Sequence, residues 1–466
     1  MATTLVDTTT TVDLDARRRE IVAQAEAAGL RLVRFLYCDN DGIIRGKSAA
    51  IANLKERLET GIGLTVAMQA FTMLDHLASV DGMGPVGEIR LVPDPSTFTI
   101  APYAPHTGTV LVDMQTLDGQ PYAADGRDFL KRMIDRAAND HDLALIAAFE
   151  PEWSLAVKNG SDLFSPIDDS GCFTSTGMNI AAPVIDDIVA ALESQGLTVE
   201  QYYAELGWGQ QELSIRHAPA LQAADHHIMY RETVRGIALK HGRYASFAPK
   251  PWADQAGNGC HLHFSGWTKD QRVNRFYDAG GEYNLSTLAR QFMAGILDHL
   301  PALVALTCAS VNSYRRLQPQ MWASAYRAWG PDNREGALRV ASPFRGHEAE
   351  STNVELKSSD SSANPYISLA GVMAAGLDGI ERQLTLPPPV TVDPHTLDES
   401  ERKKIGADRL PTSLKQAIAN LKGDRLLLEA MGQRLATSYI AVKELDIDAF
   451  AAADEAFEFR QHIYKF

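Results

Sequence analysis

An α+β fold of two unequal domains is what this sequence predicts, and three observations carry that expectation. The chain has 466 residues, enough for one large and one smaller domain. Segments of helical period alternate with short β-branched or aromatic runs along its length. Short strands punctuated by Pro93, Pro95, Pro102 and Pro105 run up to about Asp113, which puts a domain boundary near Thr116 to Asp118. The division is then residues 1–15 as a disordered Thr-rich start, 16–116 as the small domain and 117–466 as the large one.

Taken in order, Ala16 to Gly29 reads as an amphipathic helix with Ile21, Ala25 and Ala28 on one face and Gly29 as its stop. Leu30 to Tyr37 is a strand, Asp39-Asn40-Asp41-Gly42 a turn, and a second strand starts at Ile43. This hairpin carries Asp39 and Arg45 near its tip. Asp125 to His141 is a capped helix with Phe129, Met133 and Ala137 inward. Leu143 to Val157 reads as a strand pair, Ala181 to Gln195 as a helix, Val199 to Ile215 as strand and turn, and Leu221 to His241 as a long helix. Leu285 to Leu300 and Ser361 to Gln383 are long helices rich in small residues, hence closely packed. Thr412 to Tyr464 is mostly helical.

The composition is that of a soluble globular protein, 45% hydrophobic and 22% charged. A net charge of −15 disfavours nucleic acid or an anionic membrane as partner. Four scattered cysteines without a C-x-x-C pair, and no signal-like start, fit reduced thiols in the cytoplasm. The most apolar run, Phe292 to Val311, contains Asp298, His299 and Pro301 and reads as a buried helix and turn.

Chemistry concentrates in Gly257-Asn258-Gly259-Cys260-His261-Leu262-His263-Phe264-Ser265. Residues two apart on a strand share a face, so His261 and His263 can look into one cavity. Alone, such a stretch is compatible with a purely structural turn. Three acidic segments change the weighting. Glu150 and Glu152 share a face of a strand that Leu145, Ile146 and Phe149 mark as buried, and paired buried carboxylates call for a cation. Glu205 and Glu212 flank a Gly-rich turn, and Glu355 follows in Asn353-Val354-Glu355-Leu356-Lys357. Five carboxylates and a histidine suit Mg²⁺ or Mn²⁺ better than a thiolate zinc site. Arg315, Arg316, Arg334 and Arg339 lie close in sequence and suggest an anion site.

Together these motifs resemble the glutamine synthetase family, over about Leu30 to Gly379. The likeness rests on the E-x-E strand, the E-x₆-E pair, Gly-x-His-x-His-x-Ser, Asn-Ser-Tyr-x-Arg-Leu, Asn-Arg with Arg five later, and Ala363-Asn364-Pro365-Tyr366, all in the family's order. The resemblance implies a small β-grasp-like N-terminal domain and a large catalytic domain whose curved antiparallel sheet is covered by helices. It implies ATP as co-substrate and two or three divalent ions per site. Glu152, Glu205 and Glu212 would hold one ion, and Glu150, His261 and Glu355 a second. Gly257 and Arg316 would contact the amino-acid substrate glutamate, and Arg334 the transferring phosphoryl group. Arg339, His263 and Ser265 would contact the nucleotide. Asp39 would accept a proton from the amine in a neighbouring subunit's site. The implied assembly is a homo-oligomer, in the family a dodecamer of two hexagonal rings.

Departures from the family pattern point to the acceptor. Ammonia-using members carry a glutamate six residues after the substrate arginine; here Arg316 is followed by Trp322. An indole suits an apolar body or the face of a cation rather than hydrated ammonium. Lys357 stands where an arginine is expected, Asn353 where a second is, and Ala256 where an asparagine is. The expected function is therefore an ATP-dependent ligase joining glutamate to an organic amine through γ-glutamyl phosphate. Ordinary glutamine synthetase and a non-catalytic assembly protein of the same family are the alternatives.

Overall fold

A computed structural model of the chain describes residues 13–160 and 163–466. The first helix runs Leu14–Ala27, with Asp13 capping it through Oδ1 to the Asp15 and Ala16 amides. Residues 13–15 are therefore ordered as cap and first turn, against the expected frayed start; residues 1–12 of that expectation lie outside the described residues. The small domain is built on β1 (Leu32–Cys38), β2 (Ile44–Ala50), β3 (Ile62–Thr65), β4 (Glu88–Pro93), β5 (Thr99–Ile100) and β6 (Thr107–Gln115). Their order is β2-β1-β6-β4-β3, with β1 and β6 parallel and β5 added on β6.

The second sheet contains β7 (Ala144–Asn159), β8 (Leu163–Pro166), β9 (Val199–Ala204), β10 (Gln210–Ile215), β11 (Ala218–Pro219), β12 (Tyr244–Ser246), β13 (Cys260–Trp267), β14 (Tyr326–Pro331), β15 (Gly336–Val340) and β16 (Val354–Leu356). Its order is β14-β15-β16-β13-β7-β10-β9, antiparallel except for the β14–β15 pair. The expected strand pair at Leu143 to Val157 is one 16-residue strand, β7. It is long because it is the hub, pairing with β8, β10, β11, β12 and β13 along its length.

Helices cover the sheet. Thr287–Thr307 and Pro365–Glu381 cross where Gly295 meets Gly379. A Cβ on Gly295 would collide with the Ala375 carbonyl, and one on Gly379 with the Gln291 carbonyl, so backbone rests on backbone there. The first of these helices continues through Pro301, where a break was expected. Its buried face, including Leu300, Leu303, Val304 and Leu306, outweighs the lost amide hydrogen bond. Similarly, the helix expected from Ala181 begins at Ser175, capped by Thr174, and carries Pro183 within it.

Arg127 ties the small domain to the large one. It is 2% exposed and forks onto Asp225 at 3.0 and 2.8 Å, with Asp113 at 2.6 Å and Asp94 at 2.8 Å. Removing it leaves a group of carboxylates short of their cation. Arg127→Ala is expected to lose about 3–5 kcal/mol of stability, read by urea unfolding. A loss below about 1 kcal/mol would mean that water or Lys131 replaces it.

Candidate active site

The site is a face of the second sheet. Directly opposed residues share a face, and the registers pair Glu150 with His261, Glu152 with Glu212, and Glu355 with both His263 and Arg339. Five strands thus present one stripe of carboxylates, imidazoles and a guanidinium. Sequence spacing gave the i, i+2 pairs within a strand but not these partners across strands.

The stripe floors a cleft of about 630 Å³. Its walls differ in character. Glu150, Glu152, Glu205, Glu212 and Glu355 supply carboxylates, Arg316, Arg334, Arg339 and Lys357 cations, and Phe173, Leu206, Met321 and Trp322 apolar surface. Gly257 also lines the cleft, and a Cβ there would press on Pro249 O at 2.5 Å and Arg316 Cγ at 2.9 Å. At Gly259 a Cβ would meet Arg316 Nη2 at 2.6 Å, so the glycines let the arginine lie against backbone.

The two histidines face different partners. His261 Nδ1 faces Glu355 at 3.2 Å and Glu150 at 3.6 Å, while Nε2 meets Lys357 Nζ at 3.2 Å and Arg316 Nη2 at 3.4 Å. Burial, then the Lys357 charge, lowers its pKa, and the two cationic donors at Nε2 match a lone pair there. His263 faces oxygen on both sides, Asn353 Oδ1 at 3.0 Å and Glu150 Oε2 at 3.3 Å. Against the opposing effect of burial, the Glu150 bond and charge raise its pKa to about 9.

The carboxylates are poised for cations. Burial, then Glu152, pushes Glu205 up to about 7. Burial, then Glu150 and Glu152, pushes Glu212 well up, and the Tyr203 hydroxyl donates to it. Burial would raise Glu355 too, but Lys357 and the histidines hold it down at about 2. Glu152 Oε2 accepts from the Gln210 amide and the Gly259 N–H, both at 2.8 Å, which leaves Oε1 for another partner. Glu355 Oε2 is buried without an in-line hydrogen bond, although Arg339 Nε stands 2.9 Å away. Crowded, partly unsatisfied carboxylates of this kind fit hard divalent ions. Ligand atoms of Glu150, His263 and Glu355 lie within 4.8 Å of one another, so either histidine can reach the carboxylates expected to share an ion with His261.

Three expected site residues are placed elsewhere. Ser265 is four residues beyond His261, roughly 13 Å along the strand, outside the cleft lining, and its hydroxyl accepts the Trp267 indole at 2.8 Å. His263 sits behind Glu150 rather than in the lining. Asp39 is fully buried in its own chain. Its Oδ1 accepts from the Asp41 and Ile43 amides, its Oδ2 from Arg45, and Asn364 holds its carbonyl. Within its own chain Asp39 therefore lies between the hairpin and the large domain, away from the cleft lining. Tyr203, Gln210, Phe173 and Met321 were missed, and only Gln210, within Gly-Gln-Gln-Glu, carried a sequence signal.

Fold and cleft together define an ATP-dependent ligase with a divalent-metal site. The chain belongs to the glutamine synthetase family: its N-terminal domain model matches residues 17–122 and its catalytic domain model residues 123–462. The chain is 36% identical over 449 residues to gamma-glutamylpolyamine synthetase GlnA3 of Streptomyces coelicolor, covering 94% of this chain and 96% of that protein. It is 32% identical over 438 residues to a glutamine synthetase of Methanocaldococcus jannaschii, covering 91% and 93%. Among solved structures, a novel glutamine synthase homolog superposes with a TM-score of 0.84 at 31% identity, over 94% of this chain and 99% of that one. A GmaS/ADP complex gives 0.82 at 28%, over 94% and 98%. Among the described residues no helix is long and apolar enough to cross a membrane.

Proposed function

We propose that this enzyme joins glutamate, through its γ-carboxylate, to an organic amine at the expense of ATP. The observation that carries the reading is Trp322. It is 61% exposed at the cleft mouth and fills no core. Phe173, Leu206 and Met321, each also exposed, complete an apolar rim beside the carboxylates. A primary amine with a carbon body fits such a mouth; hydrated ammonium needs a countercharge there instead. Likeness to a gamma-glutamylpolyamine synthetase supports the same reading.

The chain's residues then divide the work. Arg316, Lys357 and the Gly257 backbone hold glutamate. Arg334, which makes no ion pair among the described residues, and Arg339 face the charge that develops as the γ-phosphoryl group passes to the carboxylate. Mg²⁺ or Mn²⁺, held by Glu152, Glu205 and Glu212 and by Glu150, Glu355 and a histidine, would supply charge neutralisation for that transfer. The apolar rim excludes water from the acyl phosphate and receives the neutral amine, which displaces phosphate.

The test is a panel of alkyl, aryl, hydroxyalkyl and poly-amines, with ammonia, assayed for phosphate release with glutamate, ATP and Mg²⁺. An organic amine should exceed ammonia in kcat/KM. Preference for ammonia over every amine overturns the reading in favour of a glutamine synthetase.

A further inference from the structure

Glu335 follows Arg334 in the turn between β14 and β15 and lies outside the cleft lining. It is 7% exposed. Its Oε1 accepts the Trp322 backbone N–H at 2.7 Å, and its Oε2 is buried without a hydrogen-bond partner among the described residues. The Ser324 hydroxyl makes a second tie to the same turn, donating to the Arg334 carbonyl at 3.2 Å.

The loop held in this way has an unusual backbone. Gln320, Trp322 and Ser324 all have left-handed φ, at 58°, 53° and 60°. Bulky L residues seldom adopt that region, and such a conformation persists where the surroundings impose it. The turn that imposes it is anchored independently. Asn333 donates to the carbonyls of Val390 at 2.7 Å and Val392 at 3.1 Å, and Asp332 accepts from Ser342. Glu335 is thus a fixed acceptor under a strained loop, bonded to the residue whose indole stands at the cleft mouth.

We propose that Glu335 is a positioning residue: it latches the Trp322 loop to the β14–β15 turn and so sets where the indole meets the incoming amine. The proposal rests on reading the cleft mouth as the amine entrance. Glu335 does not touch substrate, so its effect must pass through Trp322. Glutamine offers the same acceptor oxygen without charge and should serve in its place.

The experiment is a double-mutant cycle on purified enzyme. Values of kcat/KM for the best organic amine and for ammonia, and the KM for glutamate, are compared in wild type, Glu335→Ala, Glu335→Gln, Trp322→Ala and the Glu335→Ala/Trp322→Ala pair. Glu335→Ala should lower amine kcat/KM about tenfold with glutamate KM within about twofold. Glu335→Gln should restore it, and Glu335→Ala should add nothing in the Trp322→Ala background. Multiplicative losses in the double variant, failure of glutamine to restore, or an equal rise in glutamate KM would overturn the latch. Should Glu335→Ala not fold, Glu335→Asp, which shortens the reach, must fall below Glu335→Gln in amine kcat/KM; equality overturns it. An enzyme that uses only ammonia would defeat the organic-amine reading and still leave this cycle readable, since ammonia enters by the same mouth.

Discussion

Glu152→Ala and His261→Ala are each expected to lower turnover on the order of a thousandfold while leaving the fold intact. On the proposed assignment, with His261 as the histidine ligand, each would remove a ligand from a different cation position, and several kcal/mol of charge neutralisation would go with it. Stability should not follow activity. Without metal the carboxylates repel one another, and Glu212 holds its proton because burial, Glu150 and Glu152 oppose its charge. Glu212→Gln should therefore unfold at equal or higher urea concentration than wild type when metal is absent, and lose that advantage when Mn²⁺ is present. The pH dependence has a definite sign. Burial and Glu152 raise Glu205 to about 7, so the metal-free fold is favoured by its proton and loses that contribution as pH rises through 7. Cation binding needs the protons gone, so Mn²⁺ affinity should climb as pH rises through 7, and go on climbing while Glu212 still has a proton to lose. Calorimetric titration of Mn²⁺ checks both; unchanged stoichiometry and affinity in both alanine variants would remove the two-cation arrangement.

Trp322→Glu should exchange one acceptor for another. The indole is mostly exposed, so its loss opens no core cavity. A glutamate would add a countercharge at the mouth and remove the face on which an alkyl or aryl amine rests, a contact worth about 0.5–2 kcal/mol when the amine is cationic. Ammonia kcat/KM should rise and organic-amine kcat/KM fall about tenfold or more, with glutamate KM little altered. Equal loss of both acceptors would place Trp322 at the glutamate end.

The sequence made local chemistry legible and long-range geometry illegible. Glu150-x-Glu152 and His261-x-His263 could be put on one strand face because the β period is two, and the structure keeps each pair together. That Glu152 stands opposite Glu212, and Glu355 beside His263, depends on register between distant strands and has no local signal. The surroundings of Asp39 were hidden for the same reason. Its turn was correctly placed, but the Asn364 amide that holds its carbonyl comes from 325 residues away. Arg127 and Glu335 were invisible because their partners are remote or are backbone amides. Pro301 misled the helix limit because tertiary packing outweighed a local break.

The most direct measurement follows oxygen. Glutamate labelled with ¹⁸O in its γ-carboxylate, incubated with ATP, Mg²⁺ and the best amine, should give one ¹⁸O in the released phosphate for each γ-glutamyl amide found by mass spectrometry. Unlabelled phosphate, or phosphate release with no amide, would contradict an acyl-phosphate ligase.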